Sequence, residues 1–420
     1  MVDNSLPIQK WQLKLLAVLL VANSVYAVAW LGSYVYHNAV IELMINVGII
    51  GIAMITIKSK YLEKRKNYNI VVFYFVWMLL QSVRGFFGCE MYMDYRQLID
   101  GVVMLSLPIL LYLFAYPSVV QYVLRKWLFW GGLIFFVFIL WNIGPNCLYL
   151  APISLFACFF FDLPKKWKLA IGIVLFIWLS TIMDRANLLR SAMMIACAIA
   201  FKYRRFVSDR LLKIVHYLFL FVPLILLLLG FCGNFNFFKY LQDDNDGRHT
   251  EQIKKADGSV KEVDVFGDTR TFIYTEVLDS SVKHGYVLWG RTPARGNDDY
   301  FFESLVNDGK GNQLRKNERH VNEVGFLNVY TWIGLIGIIL YSLLYLKASL
   351  LALHHSKNSY IKYLGIFIAF RWALGWIEDI NLFFIQSIIL WMLIAMCMSK
   401  KFRDMNDSEF RSWFLKCLPK

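Results

Sequence analysis

Apolar residues along this chain come in long runs, many close to or beyond the roughly 20 residues that a helix needs to cross a bilayer. The runs recur along nearly the whole length. Taken as helices they predict twelve spans, centred near residues 21, 48, 78, 107, 134, 154, 175, 194, 223, 336, 370 and 390. The first run, Trp11 to Trp30, has a basic lead in Lys10 and Lys14, but it is too long for a secretory signal and many spans follow it. It is read as the first transmembrane helix.

The polar positions between the runs are not equivalent. Basic residues concentrate in alternate connections: K-S-K-Y-L-E-K-R-K after the second span, R-K-W after the fourth, P-K-K-W-K after the sixth and K-Y-R-R-F-V-S-D-R-L-L-K after the eighth. Lys347, Lys357 and Lys362 follow the tenth, and S-K-K-F-R opens the tail. The positive-inside rule then puts both termini in the cytoplasm, in parity with twelve spans.

One outer connection, residues 233–324, is about ninety residues long, a length that usually carries function or disorder. Its first half, with Q-D-D-N-D-G and K-K-A-D-G-S, reads as polar turns and a possible hairpin. In its second half, Asp268 is placed to cap an amphipathic helix with Ile273 and Val277 four apart and Gly285 as its C-cap. The chain thus divides into residues 1–232 (spans one to nine), 233–324 (outer loop), 325–398 (spans ten to twelve) and 399–420 (tail).

Composition agrees with this reading and removes others. The chain is 58% hydrophobic, 17% aromatic and only 18% charged, far from a soluble globular average. Its net charge of +14 is then mostly a topogenic signal facing anionic lipid, and nucleic acid is not implied. The seven cysteines stand singly with no C-x-x-C pair, so they suggest packing residues and neither a disulfide framework nor a metal site. G-x-x-x-x-G-K-[ST], H-E-x-x-H and G-x-S-x-G are all missing. The acidic run Asp243 to Asp246 lies among polar turns and reads as exposed. No cofactor is expected.

Charges that this topology gathers on the outer face are the candidates for chemistry. They include Arg84, Glu90, Asp94, Arg96 and Asp100, then Asp184, Arg185 and Arg190. The long loop adds Arg270, Arg291, Arg295, Arg319, His320 and Glu323, and the eleventh span and its end add Arg371, Glu378 and Asp379. Arginine outnumbers lysine in this set, and a planar guanidinium grips phosphate oxygens as a fork. Arg185 and Arg371 lie between or inside apolar segments, where an ionisable group is a functional candidate by default. The bland alternatives are a snorkelling Arg185 paired with Asp184, an Arg371 paired with Glu378 or Asp379, and a His320 that is solvated or capping.

Three stretches carry a family resemblance: D-R-A-N-L-L-R-S-A-M at 184–193, G-D-T-R-T-F-I-Y-T-E-V-L-D-S-S-V-K-H-G-Y-V-L-W-G-R-T-P at 267–293, and H-V-N-E-V-G-F-L-N-V-Y-T-W-I-G-L-I-G at 320–337. With the twelve spans and one large outer loop they resemble the O-antigen ligase and O-antigen polymerase superfamily of bacterial envelope polysaccharide synthesis. Asp184 stands where that family more often has serine, and Val321 separates His320 from Asn322.

The resemblance implies an all-α polytopic protein of the bacterial inner membrane with a partly helical periplasmic loop between helices 9 and 10. It implies a metal-independent glycosyltransferase that moves a glycan from undecaprenyl pyrophosphate to a sugar hydroxyl. His320 would be the base, assisted by Glu323. Arg185 and Arg270 would hold the pyrophosphate with Arg291 and Arg295 in support, and Arg84, Arg96, Arg319, Asn322 and Arg371 would be secondary. Partners would be the lipid-linked donor, a glycan or lipid A core acceptor, the bilayer, and chain-length regulator or flippase proteins. Polymerase is the leading reading, ligase the alternative. A flippase or transporter, from another class, would be expected to show internal repeats and midplane charges.

Overall fold

A computed structural model of the protein describes residues 8–29, 38–57, 68–141, 146–182, 185–231, 250–254, 260–264, 270–299, 318–377 and 381–419. Asp184, Asp268, the acidic run 243–246, Glu378 and Asp379 lie outside them, as do Cys232 and the side chains of Cys147 and Arg270.

The described residues form a helical membrane protein. Six helical segments are long and apolar enough to cross a bilayer: Lys10–Val28, Ala39–Ile57, Asn69–Phe87, Tyr92–Leu113, Pro117–Ile139 and Gly325–His354. Large apolar side chains stay exposed on their outer faces, as at Val72, Phe73, Val76 and Leu80, which suits hydrocarbon as the surrounding solvent.

In chain order the helices begin with α1 (Lys10–Ala29), α2 (Ala39–Ile57), α3 (Asn69–Phe87), α4 (Tyr92–Leu105), α5 (Leu110–Leu113) and α6 (Pro117–Ile134). Next come α7 (Asn146–Tyr149), α8 (Ser154–Cys158), α9 (Lys165–Ser180), α10 (Arg185–Lys202) and α11 (Asp209–Phe231). After the strands β1 (Thr250–Lys254) and β2 (Val260–Asp264) lies α12 (Arg270–Lys283). The series ends with α13 (Gly325–His354), α14 (Ser359–Gly375), α15 (Ile385–Met398), α16 (Lys400–Arg403) and α17 (Asp407–Lys416).

The centre of the bundle is α15, where every side chain but Gln386 is buried. It packs on α1, α5, α13 and α14. Some of the polar side chains inside are paired with one another. Asn23 Nδ2 donates to Asn46 Oδ1 at 2.9 Å and to the Phe383 carbonyl at 3.1 Å, and Trp127 Nε1 donates to Ser24 Oγ at 2.8 Å.

Two apolar runs that read as simple spans are broken. Residues around 107 fold as α4, a 3-10 turn at Leu107–Ile109 and α5; those around 154 fold as α7, a turn at Ala151–Ile153 and α8. Pro108 and Pro152 cause both breaks, because proline lacks the N–H that a continuous helix needs. Such irregular backbone is tolerated at membrane depth only when covered by protein, and residues 107–117 are all buried.

The segment beyond Met398 is more than a tail. It folds into α17, with an Asn406/Glu409 capping box and with Phe410, Trp413 and Phe414 buried. Trp413 Nε1 donates to the Pro117 carbonyl at 2.9 Å, and Asn358 Nδ2 donates to the carbonyls of Phe402 and Met405.

In the long connection, β1 and β2 form an antiparallel hairpin in which Thr250 faces Asp264 and Lys254 faces Val260. The expected amphipathic helix is α12: Ile273 and Val277 are buried, and Gly285 takes a left-handed φ of 65° just past its end. Asn297–Asp298 (β3) pairs antiparallel with Glu318–Arg319 (β4).

Candidate active site

The site is built on a helix that stops being one. Within α13, Gly334 adopts φ 70° and ψ −171°, far from helical values, and residues 325–334 before it are entirely buried. The segment that leaves α12 lies against this break. Arg291 N donates to the Thr331 carbonyl at 2.7 Å and Thr292 N to that of Trp332 at 3.1 Å, while Leu335 N donates to the Val287 carbonyl at 2.9 Å. Trp77 Nε1 on α3 takes the Ile333 carbonyl at 2.8 Å. Backbone groups that a continuous helix would pair internally are therefore paired across the gap.

Gly290, at φ 77°, makes the crossing possible. A Cβ there would lie 2.5 Å from Gly334 N and 2.6 Å from Ile333 N, and Arg84 Nη2 clamps the Gly290 carbonyl from the end of α3.

This lock delivers Pro293 to His320. The imidazole Nε2 lies 2.8 Å from the Pro293 carbonyl, which only accepts, so Nε2 carries the proton and Nδ1 keeps the lone pair of the neutral ring. The ring packs on Trp332 with centroids 5.2 Å apart. Burial lowers the His320 pKa to about 4, although the Pro293 carbonyl and Glu318 both favour the charged form. At neutral pH the ring is uncharged, with Nδ1 as its basic nitrogen.

Around it the loop arginines are tied to carboxylates. Arg295 Nε donates to Glu318 Oε2 at 2.8 Å, and its Nη2 also pairs with that carboxylate. Arg291 bridges Glu318 at 3.0 Å and Asp298 at 2.9 Å, and it donates to the Gly296 carbonyl. Asp298 also receives Lys283 and His284, each at 2.9 Å. Burial alone would raise the Asp298 carboxyl, but hydrogen bonds from Lys283 and His284 together with the Arg291 charge bring it down to about 2. Arg319 reaches Asp299 at 3.3 Å and Glu276 at 3.9 Å.

Beside this network Asn322 Nδ2 donates to Asn297 Oδ1 at 2.9 Å and its backbone N–H to Asn328 Oδ1 at 2.6 Å. Asn328 Nδ2 in turn donates to the Asn322 carbonyl and to Asn381 Oδ1.

Of the residues read from sequence, His320, Asn322, Arg291, Arg295, Arg319 and Arg84 are brought into this one assembly. Glu323 is exposed and no hydrogen bond or ion pair joins it to His320; the carboxylate that acts on the ring is Glu318. The reason is local: the helix begins at Gly325, so residues 320–323 lack the turn that would stack Glu323 under the imidazole. Arg185 is exposed at the first position of α10, Arg96 is exposed on α4, and Arg270 is the first residue of α12. Arg371 is buried in α14 and lines a cavity with Arg190.

Sequence reasoning overlooked Glu318, Trp332, Asn297, Asn328 and Asn381. Asn328 was the findable one, a carboxamide inside an apolar run. No group of three or more metal-ligating side chains occurs among the described residues. The chain matches no protein-family model and no curated protein.

Proposed function

We propose that this protein is a bacterial inner-membrane glycosyltransferase with twelve spans and both termini in the cytoplasm. Its active site opens to the periplasm. There it moves a glycan from undecaprenyl pyrophosphate to a sugar hydroxyl without a metal, as an O-antigen or capsular polysaccharide polymerase. An O-antigen ligase differs only in taking lipid A core as acceptor.

The observation that carries the reading is His320: a neutral imidazole tethered through Nε2–H to the Pro293 carbonyl, with Nδ1 left to accept a proton. The acceptor hydroxyl gives its proton to Nδ1 as its oxygen bonds to the anomeric carbon. The bond from that carbon to the pyrophosphate oxygen breaks, and the pyrophosphate leaves with the electron pair. Arginines stabilise that developing charge. In this reading Arg185 and Arg270, the first residues of α10 and α12, take that role, and Arg291 and Arg295 brace the His320 loop through Glu318.

One feature favours a second reading, a flippase for lipid-linked oligosaccharides. The breaks at Gly334, Pro108 and Pro152 interrupt apolar helices, as in transporters that bind substrate at broken helices. Purified protein given lipid-linked repeat units in detergent separates the two. A polymerase lengthens the glycan there, whereas a flippase leaves it unchanged.

A further inference from the structure

Residues 286–290 belong to the connection expected outside the membrane, yet the helices beside them put them deeper. α3 is 19 residues long, about 28 Å, close to the hydrocarbon thickness of about 30 Å, and exposed apolar side chains recur along it from Val72 to Phe87. It therefore serves as a depth gauge. Arg84, which clamps the Gly290 carbonyl, precedes the end of α3 by three residues, about 4.5 Å. Trp77 precedes that end by ten residues, about 15 Å, and Trp289 stacks on it with ring centroids 5.2 Å apart.

Two other helices agree. Trp77 also donates to the Ile333 carbonyl, so the break in α13 lies beside the middle of α3. On α4, a Cβ at Gly101 would lie 2.7 Å from the Pro293 carbonyl oxygen, and Gly101 follows the start of that helix by nine residues, about 14 Å. Irregular backbone at such a depth is tolerated only when its polar groups are paired. Here Gly290 N donates to the Tyr286 carbonyl at 2.8 Å, the Val287 and Leu288 carbonyls accept from Leu335 N and Ile336 N, and Arg84 donates to the Gly290 carbonyl.

What this turn shows to its surroundings is apolar. Leu288 and Trp289 are each 52% exposed. The turn is held between α3 and α13, and both helices carry exposed apolar side chains of their own, Val76, Leu80 and Val83 on the one and Leu335 and Ile339 on the other. Leu288 and Trp289 thus extend a surface that already suits hydrocarbon.

We propose that residues 286–290 re-enter the bilayer and that Leu288 and Trp289 form a contact surface for the acyl chains of the surrounding phospholipid. The surface is joined to the site, because four residues beyond Trp289 the Pro293 carbonyl holds His320 Nε2. Depth and exposure carry this independently of the glycosyltransferase reading.

Photolabelling of the unaltered full-length protein in phosphatidylcholine nanodiscs tests it. One set of nanodiscs carries a diazirine near the end of an acyl chain and a second set carries it on the headgroup, and labelled residues are located by mass spectrometry. The acyl-chain diazirine should label Leu288 and Trp289 as strongly as Val76 and Leu80 of α3, and the headgroup diazirine should label none of the four. Labelling of Val76 and Leu80 without Leu288 and Trp289, or labelling of the latter pair from the headgroup, would place the turn above the hydrocarbon and overturn the proposal. Added undecaprenyl pyrophosphate should leave the acyl-chain label in place. Loss of that label at Leu288 and Trp289 alone would mean that a bound isoprenoid and not ordinary lipid occupies the surface, which also overturns it. Glycan transfer is not read in any arm, so the proposal and the glycosyltransferase reading stand or fall separately.

Discussion

At the residue scale, the sharpest consequences concern protons. His320 is held near 4, below the value of about 6.5 for a free histidine, so unfolding takes up a proton as pH falls between those values. Stability should therefore drop from pH 6.5 to 4, and His320→Gln should flatten that slope in thermal unfolding curves. Asp298 acts at lower pH: its carboxyl sits near 2 in the fold, so its contribution is present above about 4 and is lost as pH falls toward 2. Lys283→Met or His284→Phe should make the 284–299 segment exchange amide hydrogens faster at pH 5. The same depressed pKa shifts the expected activity profile, whose acid limb should lie near 4 and not near 6.5. Arg295 belongs with the structural group. With its fork on Glu318, Arg295→Gln leaves that buried carboxylate to Arg291 alone, and the expected outcome is destabilisation on the scale of a lost charge-assisted hydrogen bond, about 1.5–3 kcal/mol. Unchanged unfolding together with weakened donor binding would instead put Arg295 on the substrate.

At the element scale, the break in α13 decides whether His320 has a site at all. Gly334→Ala places a side chain at φ 70° against the Leu288 carbonyl, and Gly290→Ala meets the Gly334 backbone from the other side. Each should cost several kcal/mol, read as a lowered unfolding midpoint, and should free the Pro293 carbonyl from His320. None of this was legible in T-W-I-G-L-I-G, because a glycine in an apolar run is compatible with an uninterrupted membrane helix and only the 287–292 segment, distant in sequence, selects the other conformation. Pro108 and Pro152 were visible as residues, but the surrounding runs were apolar enough to read as whole spans. Helix α12 was legible, since the Ile273/Val277 spacing and Gly285 are local signals that the tertiary fold left in place. The expected assistance of His320 by Glu323 fails for a local reason: the helix begins at Gly325, five residues after the histidine, so no helical turn brings the two together.

For the whole molecule, alternating apolar runs and basic connections made the helical membrane architecture legible, and among the described residues six of the runs appear as helical segments long enough to cross a bilayer. The ion network was legible only as a list of charges, since which arginine meets which carboxylate depends on the short β3/β4 pairing of residues about twenty apart. The proposed topology has its own check. A cysteine placed at Asp257 should react with an impermeant maleimide added outside intact cells, and one placed at Lys64 should react only after permeabilisation; the reverse pattern would move the His320 site to the cytoplasm. The most direct test of the central claim is polymer formation by the purified protein from lipid-linked repeat units in the presence of a chelator. The account predicts that the wild type lengthens the glycan and that His320→Ala, still folded and still binding donor, turns over roughly 10²- to 10⁴-fold more slowly, the usual scale for loss of a general base. Full activity in His320→Ala, or no polymer from the wild type without a divalent metal, would contradict it.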